Sequence, residues 1–137
     1  MSLNVKYVNT EFVHQTWPLV ETYLTSALKY GDGEYSADQI KTLLSTGSWL
    51  LLVAIDEEQN IHGAATVSFN NMPNDRIAFI TALGGKALIN DEVYGQLSTI
   101  LKGLGATKIQ CVARESAARL YAKVGFKEKH TILEIKI

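Results

Sequence analysis

The chain has 137 residues, 47% of them hydrophobic and only two of them proline, which fits one domain with a sizeable core and excludes a disordered or low-complexity chain. Thirteen basic against fourteen acidic side chains leave a formal charge of −1, which provides no electrostatic footprint for nucleic acid or an acidic membrane surface. The single cysteine, Cys111, excludes an internal disulfide, and the longest apolar run, Trp49–Ile55, is too short to span a bilayer.

Leu3 to Val8 alternates and reads as a strand. Val13, Trp17, Val20, Leu24 and Leu28 mark one helical face running to about Tyr30. Pro18 interrupts it: either Thr16 caps a new start or the helix kinks there. Gly31-Asp32-Gly33 is a turn, Ser36 to Gln39 can cap a second helix carrying Ile40, Leu43 and Leu44, and Gly47 ends it. Three strands follow, Ser48–Ile55, Ile61–Phe69 and Arg76–Leu83, whose short links make an antiparallel meander. Gly84-Gly85-Lys86 breaks the pattern, and Asn90 caps a helix with Val93, Leu97, Ile100, Leu101 and Leu104 on one side and Gly105 as its stop. Thr107–Ala113 is the next strand, so the strands at Arg76 and Thr107 should run parallel around a βαβ crossover.

The last helix carries Ala117, Leu120 and Val124 as an apolar stripe, Tyr121 beside it, Gly125 as a stop that needs positive φ, and Phe126 leading the chain back into the core. Thr131–Ile137 alternates cleanly and closes the chain as a strand that can pair across a homodimer. No repeat, linker or second domain interrupts residues 1–137, and with no signal-peptide pattern at the first residues a cytoplasmic protein is expected.

The element order and the run from Ala117 through Leu120-Tyr121 to Gly125-Phe126 resemble the GNAT superfamily of acetyl-CoA-dependent N-acetyltransferases. Gly84 and Gly85, 37 and 36 residues before Tyr121, match the distance such proteins keep between phosphate loop and tyrosine. The resemblance implies an α/β (α+β) fold: a mixed, mostly antiparallel sheet, a central parallel βαβ splay, and helices on both faces. It implies acetyl-CoA as co-substrate and a small-molecule or peptide amine as acceptor, while the charge balance, the short apolar run and the histidine spacing lead to the expectation of no nucleic acid, no membrane and no metal. It places acetyl-CoA at Leu83, Gly84, Gly85, Lys86, Ala87, Arg114 and Ala117, with Tyr121 as the general acid. The physical ground is that a parted strand pair exposes backbone groups to an amide-bearing ligand, while a following helix N-terminus holds a pyrophosphate.

Several residues depart from the family pattern. The second glycine of the usual phosphate loop is absent, Asp91 and Glu92 sit at the helix start, Arg114 stands where relatives often carry Asn, and Arg76–Leu83 has no Asp or Glu to serve as base. The loop also resembles bacteriophage-encoded GNAT-like proteins, so a structural or interaction protein with weak or no catalysis is the alternative reading. A CoA-binding sensor is a third. Elsewhere the plainer reading leads: Cys111 belongs to the core, Trp17 and Trp49 are core, and His14 and His130 are surface residues. His62 is a minor candidate base, and Glu34 and Tyr35 border an acceptor site or simply a solvated loop. No two histidines have ligand spacing with a carboxylate, which is why no metal is expected.

Overall fold

The computed structural model describes residues 2–29, 33–85 and 89–137. The expected turn at Gly31-Asp32 and the loop residues Lys86 and Ala87 lie outside the described residues, as does Tyr30 at the expected helix end. Five strands, β1 (Asn4–Val8), β2 (Leu50–Ile55), β3 (Ile61–Asn71), β4 (Arg76–Gly85) and β5 (Lys108–Cys111), lie in the sheet in chain order. The first four pair antiparallel and β5 joins β4 in parallel, as the crossover through α3 (Asp91–Gly103) requires.

Alternation along β2 divides the core. Leu51, Val53 and Ile55 point to one face, where they meet Val13, Trp17, Val20 and Leu24 of α1 (Val13–Leu28) and Ile40 and Leu44 of α2 (Ala37–Ser45). Leu52 packs on the other face with Val67, Ala78 and Ile80, under Leu97 and Leu101 of α3. Helices therefore cover both faces, and β2 is apolar on both sides because both are buried. Pro18 falls inside α1 without ending it. Ser36 and Gln39 form a reciprocal capping box at the start of α2.

The two sheet edges are treated differently. At β1 the amide of Gln96, from α3, accepts from the Val5 N–H at 2.8 Å and donates to the Leu3 carbonyl at 2.8 Å. A side-chain amide thus supplies the donor and acceptor that a neighbouring strand would have provided, and closes that edge. Among the described residues nothing pairs with the outer edge of β5.

Three expectations change. β4 continues through Gly84 and Gly85, which pair with Ala64 and Gly63 of β3, so the strand outlasts its expected end at Leu83. Residues 126–137 hold neither helix nor strand, because an alternating segment becomes a strand only beside an edge, and within the single chain it joins none. Phe126 is half-buried and lies outside the core clusters. Its ring instead meets Tyr94 and Tyr121 edge-on, with centroids 5.5 and 5.0 Å away.

Candidate active site

The site forms where β4 and β5 part. Their ladder runs from Ile77↔Lys108 to Ile80↔Cys111 and stops, while β4 goes on to Gly85. The departure coincides with a bulge: Thr66 opposes Ala82 and Val67 opposes Ile80, which leaves Thr81 as the extra residue. The Thr81 hydroxyl is fixed by the Thr66 hydroxyl at 2.6 Å and donates to the Thr66 carbonyl at 3.1 Å. From Thr81 to Gly85 the edge of β4 turned away from β3 has no strand beside it among the described residues. That edge is the kind of backbone surface an extended amide ligand can join.

Gly84 sits on this segment for a packing reason that the sequence did not reveal. It is buried, and a Cβ built there would overlap the Tyr23 carbonyl oxygen and lie 2.6 Å from the Tyr23 carbonyl carbon. The backbone of α1 crosses β4 at this point, and only a residue without a side chain permits the approach. The Tyr23 hydroxyl, donating to the Ile61 carbonyl at 2.9 Å, pins the same turn of α1 to the start of β3. Gly85 has φ of +127°, a conformation that favours glycine.

The N-terminus of α3 faces the same end of β4. Asn90 caps it, its side-chain oxygen accepting from the Val93 N–H at 2.9 Å. Glu92 accepts a hydrogen bond from the Ser2 hydroxyl at 3.2 Å, which turns its carboxylate toward the start of the chain.

Across the gap stands α4 (Glu115–Lys123), with Arg114 at its N-cap. Its end is a two-bond glycine stop: the Phe126 N–H reaches the Tyr121 carbonyl and the Gly125 N–H the Ala122 carbonyl, both at 3.1 Å, with Gly125 at φ of +104°. The face turned inward is Ala117, Tyr121 and Val124; Leu120, expected in the stripe, is exposed, and no residue of α4 is fully buried. Tyr121 lies beside Cys111 at the end of β5, close enough that each shifts the titration of the other. Burial pushes the phenol above its ordinary value, and Cys111 adds to the shift. Burial also raises the Cys111 thiol, against a smaller lowering by the Tyr121 hydroxyl. Both groups therefore hold their protons at neutral pH. Cys111 is the last residue of the β4–β5 ladder, so the phenol stands at the fork itself.

The remaining candidates make contacts of their own. His62 is the bulged residue of β3 and hydrogen-bonds Asp56 at 2.8 Å. Asp56 also accepts from the Glu58 and Asn60 N–H groups, both at 2.9 Å, so the pair ties the β2–β3 turn. Tyr35 packs edge-on against the half-buried Trp49 at 4.8 Å, while Trp17 is buried. Among the described residues no cluster of His, Cys, Asp or Glu could hold a metal ion, and no helix is long and apolar enough to cross a membrane.

No protein-family model matches the sequence, and no curated protein matches it. Solved structures do. An aminoglycoside acetyltransferase from an uncultured soil metagenomic sample superposes with a TM-score of 0.71 at 20% identity, covering 100% of this chain and 99% of that one. A second such enzyme from a soil metagenomic sample, in complex with sisomicin, gives 0.72 at 11% identity over 98% and 95% of the two chains. A ribosomal-protein-alanine N-acetyltransferase from Brucella melitensis gives 0.71 at 15% identity over 99% of each. At these identities the likeness is one of architecture. With its splayed parallel strand pair, its bulged β4 and its tyrosine at the fork, this chain has the GNAT acetyltransferase fold.

Proposed function

We propose that the chain is an N-acetyltransferase that moves the acetyl group of acetyl-CoA onto the amine of a small molecule or peptide by direct attack, without a covalent enzyme intermediate. The observation that carries this reading is the place of Tyr121, half-buried beside Cys111 where the β4–β5 ladder ends and the edge of β4 is left open. The residues present fit the co-substrate. The free edge from Thr81 to Gly85 can pair with the amides of its pantetheine arm, and the first turn of α3 offers backbone N–H groups to its phosphates. Leu83, Gly84 and Gly85 would flank it on the β4 side, and Arg114 and Ala117 on the α4 side.

In the reaction the amine nitrogen forms a bond to the thioester carbon, giving a tetrahedral intermediate. The carbon–sulfur bond then breaks, and the departing thiolate takes the proton of the Tyr121 hydroxyl. β4 carries no Asp or Glu; the attacking amine enters as the free base, and its surplus proton passes through solvent to the Tyr121 phenolate, which restores the acid.

Calorimetry with acetyl-CoA tests the binding half of this reading. No heat and no thermal shift at millimolar acetyl-CoA would remove it and leave the fold serving as a scaffold. Where binding is measured, Tyr121→Phe should lower turnover by about 10²–10⁴-fold and leave acetyl-CoA affinity in place. An unchanged rate would take Tyr121 out of the mechanism.

A further inference from the structure

We propose that the acceptor is a small monoamine with an aromatic body, seated beside the fork on the sheet face opposite α3; this deepens the acetyltransferase reading and rests on it. Contacts on the page fix which side the co-substrate takes. Cys111 belongs to the cluster under α3, Tyr121 lies beside it, and the Phe126 ring links Tyr121 to Tyr94 near the start of α3. α3 and α4 therefore border the gap from one side, where the thioester arm would enter. An amine reaches the thioester carbon from the other.

That other side carries an apolar floor outside the core. Val67, Phe69, Ala78, Ile80, Ile109 and Cys111 all belong to the cluster under α3. By strand alternation Ser68, Ile77, Phe79 and Gln110 point the opposite way. Ser68, Phe79 and Gln110 pair in one row across β3, β4 and β5, one residue before the Ile80↔Cys111 pair at which the ladder ends. Of β4, the cluster under α1 and α2 includes only Ala82. Ile77 and Phe79 are half-buried yet belong to none of the three core clusters. Their apolar surface is thus left for a ligand rather than spent on the core. At the β2 side the half-buried Tyr35 and Trp49 rings meet edge-on at 4.8 Å, and Trp49 directly precedes Leu50, the partner of Val67.

Charge selects the occupant. β3, β4 and β5 carry no Asp or Glu, and the cation that β5 adds on the floor side, Lys108, is held by Asp75 at 3.1 Å. A polyamine would find no carboxylate on these strands to meet its further ammonium groups. A monoamine needs none. Its ring can rest on Phe79 in the offset or edge-on contact that aromatic pairs prefer. A strand rises about 3.3 Å per residue, so an amine on a two-carbon arm reaches from the Phe79 row to the fork.

Phenethylamine is the probe and spermine the control. In amide-resolved NMR of the full chain, phenethylamine should give saturable shifts at Ser68, Ile77, Phe79 and Gln110, and spermine none there. With acetyl-CoA present, kcat/KM for phenethylamine should exceed that for spermine at least about tenfold. Phe79→Ala should raise KM for phenethylamine by about tenfold or more, with a much smaller change in kcat and acetyl-CoA affinity in place, a split that general loss of structure would not produce. Ile77→Ser, read the same way, guards against a fold lost at Phe79. Shifts confined to other parts of the chain, tighter binding of spermine, or an unchanged KM in both variants would overturn the proposal while acetyl-CoA still binds. A chain that binds no acetyl-CoA would end the acetyltransferase reading and this one with it.

Discussion

Replacing Gly84 by alanine tests the helix–sheet contact on which the site end of β4 depends. The new Cβ would lie 2.6 Å from the Tyr23 carbonyl carbon, where ordinary contacts begin near 3.4 Å, so α1 must retreat by at least 3.4 − 2.6 = 0.8 Å. Both partners are backbone, and no rotamer change relieves the clash. Overpacking costs typically 1–3 kcal/mol, and a backbone-to-backbone clash belongs at the upper end, about 3 kcal/mol. For a chain of this size each kcal/mol moves the melting midpoint by roughly 3–4 °C, so Gly84→Ala should melt about 10 °C below the wild type. Thermal and urea denaturation, both without acetyl-CoA, separate this packing role from any role in ligand binding. A variant melting within about 1 °C of the wild type would show that α1 does not press on β4 at Gly84, and the account of that glycine would fail.

The Tyr121–Cys111 pair should be visible in alkali. The fold raises Tyr121 above 10.0, mainly by burial, so above that pH the unfolded chain sheds a proton that the folded chain keeps. The pair's contribution to stability is then constant below the ordinary values and falls as pH rises past 9.0 for Cys111 and 10.0 for Tyr121. Absorbance titration should show one late phenolate that Tyr121→Phe removes; all tyrosines titrating together would refute the assignment. Asp56 behaves oppositely. His62 first, then the Asn60 backbone, hold its carboxyl down at about 2 against an ordinary 3.8. Its contribution is present above 3.8 and lost as pH falls through about 2, and carboxyl titration by NMR should find that low midpoint. A midpoint near 3.8 would mean that the turn does not hold its hydrogen bonds in solution. Phe126→Ala should cost about 1–3 kcal/mol in chemical denaturation, the sum of two edge-on ring contacts. A loss of about 5 kcal/mol would indicate a core anchor instead.

Much of this was readable before any coordinates. The capping box at Ser36, the Asn90 cap and the Gly125 stop are local hydrogen-bonding requirements that a few adjacent residues satisfy by themselves. Two-sided burial of β2 and the parallel pairing of β4 with β5 follow from apolar pattern and connection length, which a linear chain records directly. Gly84 and Tyr121, singled out by the spacing of the family they resemble, lie on β4 and on the helix that follows its parallel partner β5.

Only the tertiary structure decided what depends on distant neighbours. Leu120 was placed inside by its spacing and stands outside, because the half-buried face of α4 is that of Ala117, Tyr121 and Val124 instead. Gln96, an ordinary helix residue in sequence, closes the β1 edge because α3 happens to pass beside it. The Tyr121–Cys111 pair brings together two residues whose ten-residue separation carries no periodicity that would predict it. Thr131–Ile137 has every local mark of a strand, yet a strand is a relation between two segments, and its second member lies outside any local pattern. Gly84 is the clearest case: the sequence marked it only as part of a glycine-rich turn, and the fold determined that the α1 backbone comes close to it.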